Sequence, residues 1–449
     1  MIIKKRTIET WIVSLILILC FIFMIIYGAL LKYHYDGGTK FKNLQKIAVF
    51  FADVPSNTKK ILSKVDDVNK LVSTEKNKNL PRYKRFIESK RDALLILPRY
   101  DGNLERSIVE IIDLNNFKVL HTYKHNIKDM NKLIDTSKKE NERVKIDGST
   151  IRFLYMHPLL LEDGSLISDS QYAPLFKIDY CSNLLWVNQE DRFHHSIMLD
   201  KNGDIWTGSQ LFPYSNFVGK KIKDYGFSDD AIAKIDISGN LLFSKSISEL
   251  LAENGLINKN FFGDSDDPIH LNDIEPALTN GNYWNQGDLF ISIRHKSAII
   301  HYRPSTNKVI NYIKGPFHMQ HDVDIISNKE ISIFNNNNSY LKNAKNSEVL
   351  IYNFETKSFS KKFHKQVIKE NLKTYSEGLS EIFDDGSMLF EEQNHGRLIF
   401  FNKDGQKEWE FVNKDSNGKV YPISWSRIIK DKKLLKILRN KIKNTSCLN

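Results

Sequence analysis

The chain has 449 residues, of which 41% are apolar and 11% aromatic, a composition that suits a large folded core. The formal net charge is +11, but much of the excess lies near the two ends and says little about a binding site. We find no nucleic-acid recognition motif and no basic patch interleaved with aromatic residues, so nucleic acid is not an expected partner.

Residues 11–31 form an uncharged run of 21 residues, which is long enough to cross a bilayer core of about 30 Å as a helix. Lys4, Lys5 and Arg6 precede the run, as in a signal anchor. We predict a transmembrane anchor over 11–31, a cytoplasmic segment over 1–10 and the remainder outside the cytoplasm. A cleaved signal peptide is disfavoured, because the run is long and no Ala-x-Ala site follows it.

Residues 32–90 are predicted to be helical and to form a stalk or collar. Apolar residues recur at helical spacing from Phe41 to Phe51 and again from Ile61 to Leu71. The segment contains no candidate ligand.

Three cysteines are present: Cys20 in the apolar run, Cys181 in the middle of the chain and Cys447 near its end. No C-x-x-C pattern occurs, which argues against a thiol redox centre and a cysteine zinc site. Nothing local pairs Cys181 with Cys447, so a disulfide between them stays open but is disfavoured.

From about residue 92 the pattern changes to short strands separated by turn residues. One kind of hairpin carries Asp-Gly or Asn-Gly at the turn, a pair that suits the positive φ angles of tight turns. It occurs at 159–167, 197–206 and 382–390. The other kind recurs at 111–120, 177–186, 234–243, 301–310, 351–360 and 400–409.

Two such hairpins make a four-stranded sheet, and recurrence of these sheets at roughly 40–60 residues is typical of a β-propeller. We therefore predict an all-β, six-bladed β-propeller over 91–430, in preference to a β-sandwich. The units lie near 91–150, 151–190, 191–250, 265–315, 316–370 and 371–415. The basic tail, 431–449, is expected to be a short helix at a solvated or membrane-facing end.

Histidines recur near the starts of these units. His195 precedes the turn residue Gly203 by eight residues, and His321 precedes Lys329, at the matching turn position, by the same eight. His270 begins a longer unit whose second strand ends at Arg294. Because equivalent positions of successive blades face one central channel, we expect the three imidazoles to converge.

The predicted cluster suits transfer of an anionic group. A neutral histidine can act as a nucleophile, an arginine and a carboxamide can stabilise developing charge, and a second histidine can move a proton. Arg294 and Asn272, which lies on the same side of its strand as His270, supply the last two kinds of group. Asp322 either orients the His321 ring or lies solvated at the sheet edge.

Several segments, in matching order from about 177 to 427, resemble the bacterial arylsulfate sulfotransferases. They are His194-His-Ser-Ile-Met-Leu, His270-Leu-Asn-Asp-Ile-Glu-Pro, Asp288-Leu-Phe-Ile-Ser-Ile-Arg-His, Gln320-His-Asp-Val-Asp-Ile and Ser376-Glu-Gly-Leu-Ser-Glu-Ile-Phe-Asp-Asp-Gly. The resemblance implies a six-bladed propeller that moves a sulfuryl group between phenols without an adenylyl sulfate cofactor, or any other cofactor or metal.

By this resemblance His321 is the nucleophile and forms a transient sulfohistidine. His270, Asn272 and Arg294 would hold the sulfuryl oxygens, and His195 would assist proton transfer at the phenol oxygen, with His194 the alternative. The expected partners are an aryl sulfate donor, a phenolic acceptor and the membrane, with a homodimer left open. The expected location is the bacterial inner membrane, with the catalytic domain on the periplasmic side.

The chain departs from the family pattern at Ser196, where the family tends to have Asp, and at Phe334-Asn-Asn-Asn, where a Phe-Asp-Asn-Gly type of turn is expected. The family's β-rich N-terminal domain is replaced by the anchor and the helical stretch. Two other hypotheses remain: a non-catalytic envelope propeller that binds a partner, and a histidine metal site. The second is disfavoured, because Asp322 and Asp273 are the only nearby carboxylates that the sequence suggests.

Overall fold

The structure is a computed structural model that describes residues 9–35, 41–62, 73–89, 91–141, 144, 148–170, 173–220, 227–257, 261–262, 265–339 and 342–447. The chain divides into two compact units, Met1–Asp67 with Asn258–Asp266, and Val68–Ile257 with Asp267–Asn449. The helices are α1 (Thr10–Tyr35), α2 (Lys42–Leu62), α3 (Ile127–Lys132), α4 (Asn216–Gly219), α5 (Ile247–Glu253), α6 (His364–Lys369) and α7 (Lys432–Asn444).

The first unit contains α1 and α2. The hydroxyl of Tyr27 in α1 donates to the carbonyl of Ala48 in α2 at 3.0 Å. Thr10–Lys32 is long and apolar enough to cross a membrane, and a signal sequence at the N-terminus has the same properties. The predicted helical spacing from Phe41 to Phe51 lies within α2 except for Phe41, which directly precedes it. The second predicted run falls largely in 63–72, outside the described residues.

The second unit is built from short strands. They are β1 (Tyr83–Arg85), β2 (Leu94–Asp101), β3 (Arg106–Asp113), β4 (Lys118–Tyr123), β5 (Met156–Leu160), β6 (Leu166–Asp169), β7 (Ala173–Ile178), β8 (Leu184–Leu199), β9 (Ile205–Gln210), β10 (Asp230–Ile235), β11 (Leu241–Ser246), β12 (Leu271–Pro276), β13 (Leu289–Ile293), β14 (Ala298–Arg303), β15 (Lys308–Ile313), β16 (Val323–Ile325), β17 (Glu330–Asn335), β18 (Asn338–Ser339), β19 (Lys342–Asn343), β20 (Glu348–Asn353), β21 (Ser358–Lys361), β22 (Ser380–Ile382), β23 (Met388–Glu392), β24 (Arg397–Phe401), β25 (Lys407–Val412) and β26 (Arg427–Ile429). All of the hairpins predicted from the sequence are present among them.

The strands form antiparallel sheets in a propeller-like arrangement. The strand orders are β26-β2-β3-β4, β5 through β11 in sequence, β12-β13-β14-β15, β16-β17-β20-β21, β22-β23-β24-β25-β1 and the small pair β18-β19. The all-β prediction is confirmed. The count of six blades is not, because within the described residues the 16-residue strand β8 joins two sets of hairpins in one seven-stranded sheet.

Two sheets contain a strand from a distant part of the chain. β26, near the C-terminus, pairs with β2 through Leu94 and Ile429, so the first sheet is completed by the last strand. β1 pairs with β25 through Tyr83 and Phe411. The prediction of helix up to residue 90 is therefore wrong at 83–85, which form an edge strand.

Side chains on the inner strands link each sheet to the next. The Ser196 hydroxyl accepts the backbone N–H of Ile274 at 2.9 Å, and the Asp273 carboxylate accepts that of Val323 at 2.9 Å. Asp322 accepts the backbone N–H of Ser380 at 3.0 Å. Ser196, where the family tends to have Asp, thus accepts a backbone N–H from the next sheet, as Asp273 and Asp322 do. Asp322 is buried and bonded to the next sheet, so it is neither solvated nor oriented toward His321.

The C-terminal tail is anchored to the first sheets. Leu435 and Leu438 of α7 are buried among the side chains of β2, β3 and β7, so the prediction of a solvated or membrane-facing end is wrong. Cys447 forms a disulfide with Cys181 over a Cα–Cα distance of 5.3 Å, which corrects the preference against this pair. The sequence interpretation failed because the partners are 266 residues apart and meet only through the tertiary fold.

Candidate active site

Three sheets each bring one predicted histidine to a common point. His195 lies in β8, His270 directly precedes β12, and His321 lies two residues before β16. The ring centroids of His195 and His321 are 5.3 Å apart, and those of His195 and His270 are 5.5 Å apart. The structure therefore brings together the three imidazoles that the repeat register predicted.

Several residues around this point have a left-handed backbone, which is uncommon outside glycine. The φ angles are 64° at His195, 51° at His270, 44° at His157 and 62° at Glu377. Such conformations cost free energy and tend to cluster where a side chain has to be held in place for function. His321 does not have a left-handed backbone, so its position in its strand unit matches those of His195 and His270 only approximately.

The Nδ1 atom of His321 is surrounded by hydrogen-bond donors. The Asn272 side-chain Nδ2 donates to it at 2.9 Å and the backbone N–H of Glu377 donates at 3.2 Å. Asn272 Nδ2 also donates to the Gln320 carbonyl at 2.9 Å, which fixes the orientation of the amide. Burial lowers the pKa of His321, so the ring is neutral and carries its single proton on Nε2. Contact between Asn272 and a sulfuryl oxygen remains a prediction.

Glu377 faces the same cluster and was not predicted. Its Oε2 lies 3.4 Å from His321 Nε2 and 3.7 Å from His157 Nε2, and its Oε1 lies 3.8 Å from His195 Nε2. Burial raises the pKa of Glu377, but the imidazoles of His157 and His321 outweigh it and hold the pKa well below the usual value. The carboxylate is therefore ionised among neutral rings.

His157 is the second residue that the sequence interpretation missed. It is fully buried and stacks on Trp425, with ring centroids 3.9 Å apart. Burial lowers its pKa to about 4, against the opposing effect of Glu377. The signal for both residues was their position at the start of a predicted strand unit, the same position as the other histidines.

Asp267 and His270 form a carboxylate–imidazole pair. Asp267 Oδ2 lies 2.5 Å from His270 Nδ1, and Asp267 Oδ1 accepts the backbone N–H of His270 at 3.0 Å. A carboxylate at Nδ1 holds the proton there and leaves the Nε2 lone pair available to accept another. Of the three predicted histidines, His270 is thus in the tautomer of a proton acceptor.

Arg294 is joined to this pair through His295. Its Nη1 lies 3.0 Å from His295 Nε2, while His295 Nδ1 lies 2.6 Å from the Asp267 carbonyl oxygen. The backbone N–H of Arg294 donates to the His270 carbonyl at 2.9 Å. Burial is the main cause of the lowered pKa of His321, and the positive charge of Arg294 lowers it further. The Arg294 guanidinium therefore lies beside the cluster, as predicted.

His194 lies behind His195. The two Nδ1 atoms are 2.7 Å apart, so one of them carries the proton and donates to the other. His194 Nε2 is 3.7 Å from Asp230 Oδ1, and burial lowers the pKa of His194 to about 3. His194 thus contacts His195 and Asp230 of β10, and its role in the site remains a prediction.

Among the residues that the structure describes, two groups have ligand atoms close enough to hold a metal ion: His195 with His321 and Glu377, and Asp267 with His270 and His295. The nearby carboxylates are therefore Glu377 and Asp267, not the expected Asp322 and Asp273. A metal on His321 Nε2 is disfavoured by the two N–H donors at Nδ1, because a ligating histidine normally donates from its other nitrogen. Arg294 beside His295 disfavours a cation in the second group.

Two cavities lie along the inner strands. One, of about 250 Å³, is bordered by Ser376, Glu377 and Asn394 and adjoins the histidine cluster. The other, of about 480 Å³, is lined by acidic side chains and Arg427. Neither cavity is lined by a site histidine, but the smaller one is bordered by Glu377, which contacts three of them.

These features define a cluster of imidazoles with one guanidinium and two carboxylates, at the inner strands of a propeller-like fold. A model of the arylsulfotransferase (ASST) family matches residues 157–414, more than half of the chain. The chain therefore belongs to the arylsulfotransferase family, which confirms the resemblance and suggests an arylsulfotransferase-like function. The match begins at His157 and includes the site histidines, Asn272, Arg294 and Glu377.

Among solved structures, a protein of unknown function from Bacteroides caccae is 10% identical with a TM-score of 0.47, over 76% of this chain and 100% of its own. Virginiamycin B lyase from Staphylococcus aureus is 11% identical with a TM-score of 0.38, over 73% of this chain and 87% of its own. Likenesses this distant carry no argument about function. None of the curated proteins compared with the chain matches it.

Proposed function

We propose that this protein transfers a sulfuryl group from an aryl sulfate to the hydroxyl of a phenolic acceptor by a ping-pong mechanism, without an adenylyl sulfate cofactor. The observation that carries the proposal is the convergence of His195, His270 and His321, with Asn272 bonded to the His321 ring. Family membership supports the same reaction class.

In the first half-reaction, the Nε2 proton of His321 passes to solvent and the Nε2 lone pair then attacks the sulfur. The N–S bond forms, the S–O bond to the aryl group breaks, and the electron pair leaves on the phenolate, which takes a proton from solvent. Arg294 stabilises the negative charge on the sulfuryl oxygens. His270 and Asn272, at the start of the neighbouring β12, hold either the sulfuryl oxygens or the attacking His321 ring.

In the second half-reaction, the acceptor phenol loses its proton to a base while its oxygen attacks the sulfohistidine. The N–S bond breaks and its electron pair returns to His321 Nε2, which is then reprotonated. His270 is in the tautomer that can accept the phenol proton, because Asp267 holds Nδ1–H. His195, facing both rings, is the second group for proton transfer at the phenol oxygen.

The architecture carries further proposals. If the seven-stranded sheet is counted as two four-stranded blades that share β8, the propeller has six blades. The apolar helix serves as the membrane anchor, with the propeller outside the cytoplasm. The Cys181–Cys447 disulfide supports that side, because disulfides persist in oxidising compartments.

The activity is tested by incubating the purified full-length protein, in detergent, with 4-nitrophenyl sulfate and phenol. We expect release of 4-nitrophenol, formation of phenyl sulfate and a parallel-line pattern in two-substrate kinetics. The same assay on His321→Asn should show loss of transfer to background. Absence of transfer by the wild-type protein, or full activity of His321→Asn, would favour the non-catalytic binding protein instead.

A further inference from the structure

Residue 377 contacts both nitrogens of the His321 ring. Its backbone N–H donates to Nδ1 at 3.2 Å, and its carboxylate Oε2 lies 3.4 Å from Nε2. We propose that Glu377 is a displaceable carboxylate that closes the sulfuryl site, and that donor binding requires it to leave the position it holds. The inference rests on the proposed function, since it takes a sulfuryl group to be the anion that enters.

The contact at Nδ1 determines which tautomer His321 adopts. With two N–H groups directed at Nδ1, from Asn272 and from Glu377, the neutral ring has to carry its proton on Nε2. A protonated ring nitrogen has no in-plane lone pair and cannot attack sulfur. In this arrangement His321 is therefore held in a form that does not react at Nε2, and one of the two groups that hold it belongs to residue 377.

The contacts of the carboxylate show that it fills an anion position. Three Nε2 atoms, of His321, His157 and His195, surround it at 3.4, 3.7 and 3.8 Å. Its side chain is only 12% exposed. A sulfuryl group that approaches His321 Nε2 has to enter the same space, where it meets both the volume and the negative charge of Glu377.

A like charge in this place should have a measurable effect on donor affinity. Two charges a few ångströms apart near a protein surface repel strongly enough to change a binding constant by about tenfold to a thousandfold. The wild-type protein is therefore expected to bind an aryl sulfate more weakly than a variant without the carboxylate. Arg294 opposes this repulsion but is itself bonded to His295.

The surroundings of Glu377 provide both space and a hinge. The cavity of about 250 Å³ is bordered by Ser376 and Glu377, so the carboxylate can turn out of the cluster without displacing the core. Glu377 and Gly378 are consecutive left-handed residues, with φ of 62° and 97°. A relaxation of Glu377 toward negative φ would also move its N–H away from His321 Nδ1.

The inference is tested by affinity and by chemical reactivity, neither of which needs turnover. Calorimetry with 4-nitrobenzenesulfonate, an analogue of the donor whose C–S bond cannot transfer the group, should show at least tenfold tighter binding to Glu377→Ala than to wild type. Glu377→Gln, which keeps the shape, should show part of this gain. Diethyl pyrocarbonate acylates unprotonated imidazole nitrogen. Both N–H donors at Nδ1 remain in Glu377→Ala, so any gain in reactivity has to come from access to the ring. Peptide mapping should find His321 modified at least tenfold faster in Glu377→Ala, because the carboxylate no longer covers the ring. Glu381→Ala, a matched glutamate without contact to the cluster, should change neither result.

The proposal is overturned if both variants bind the donor analogue no more tightly than wild type, or if His321 reactivity is unchanged in Glu377→Ala. It is also overturned if turnover in both variants falls at least a hundredfold with unchanged affinity for the analogue, since Glu377 would then be a proton-transfer group. If affinity and reactivity change as expected but no sulfuryl group is transferred, the proposed function fails and the closing role of Glu377 stands. If the wild-type protein transfers the sulfuryl group but the substitutions change neither affinity nor reactivity, the closing role of Glu377 fails and the proposed function stands.

Discussion

The Asn272 side chain donates to His321 Nδ1 at 2.9 Å and, from the same nitrogen, to the Gln320 carbonyl at 2.9 Å. One amide thus fixes the orientation of the proposed nucleophile from the neighbouring sheet. Because both bonds are buried, their loss is expected to affect the reaction and the local fold together.

Asn272→Leu tests this relationship. The substitution removes one donor from Nδ1 and leaves the buried Gln320 carbonyl without that partner, at a cost of about 1–3 kcal/mol in stability. We expect sulfohistidine formation to slow by about tenfold to a hundredfold, since a misplaced nucleophile is costly. Rapid-quench measurement of the first half-reaction and thermal unfolding give the two values.

Asn311→Leu is the matched control, because Asn311 bonds His301 Nδ1 at 3.0 Å in another asparagine–histidine pair away from the site. It should leave the rate of sulfuryl transfer near the wild-type value. Equal losses in the two variants would mean that the effect of Asn272 is general destabilisation.

Asp267→Asn should impair the second half-reaction more than the first. The carboxylate holds the Nδ1 proton of His270, and an amide at that place permits the other tautomer, in which Nε2 cannot accept a proton. We expect kcat for transfer to phenol to fall by about 10²–10⁴-fold, as for other carboxylate–histidine pairs. Single-turnover formation and decay of the covalent intermediate separate the two half-reactions.

The neighbouring Asp266 is exposed and provides the control. Asp266→Asn should leave both half-reactions unchanged. An Asp267→Asn variant with a wild-type rate of decay would show that His270 does not take the phenol proton.

The acidic cavity should make stability depend on pH. Burial raises the pKa of Glu381 to about 7. A carboxyl whose pKa is higher in the folded than in the unfolded state destabilises the fold as pH rises from the unfolded value of about 4.5 to about 7. Glu381→Gln cannot ionise, so it should be more stable than wild type at pH 8, by about 1–3 kcal/mol, and no more stable at pH 4.

Thermal unfolding of the two proteins at several pH values checks this difference. A constant difference across the range, or one that grows toward acid, would contradict the assignment to Glu381. The measurement is independent of sulfuryl transfer, because Glu381 lies at the larger cavity, which is lined by none of the site histidines.

Removal of the Cys181–Cys447 disulfide should destabilise the propeller-like unit. The bond connects residues 266 positions apart, and cross-links of long loops typically contribute about 2–5 kcal/mol. Cys447→Ser should therefore lower the unfolding temperature, and reductant should lower that of wild type but not of the variant. Cys20→Ser, at the exposed free cysteine, is the control and should respond to reductant as wild type does.

The histidine cluster could be predicted because the repeated turns give the register of the strands, and register determines which residues share a face. His195, His270 and His321 followed from that pattern. Glu377 and His157 stand at the starts of strand units as well but were missed, because their contacts with each other and with His321 join residues far apart in the chain. The pairing of β26 with β2 and the disulfide are also contacts of the closed ring, which spacing along the chain does not indicate.

The tail was misinterpreted for a different reason. Its Lys and Arg residues suggested solvent or lipid headgroups, whereas Leu435 and Leu438, three residues apart on one side of α7, are buried against the first sheets. Helical spacing of the apolar residues was the better guide, because lysines can remain at the surface while one face of a helix packs.

The central claim is that His321 accepts the sulfuryl group. The most direct measurement is the mass of the intact protein after incubation with 4-nitrophenyl sulfate and no acceptor, followed by peptide mapping. The account predicts a gain of one SO₃ group on the peptide that contains His321, its absence in His321→Asn and its loss on addition of phenol. An adduct on another residue, or the same adduct in His321→Asn, would contradict it.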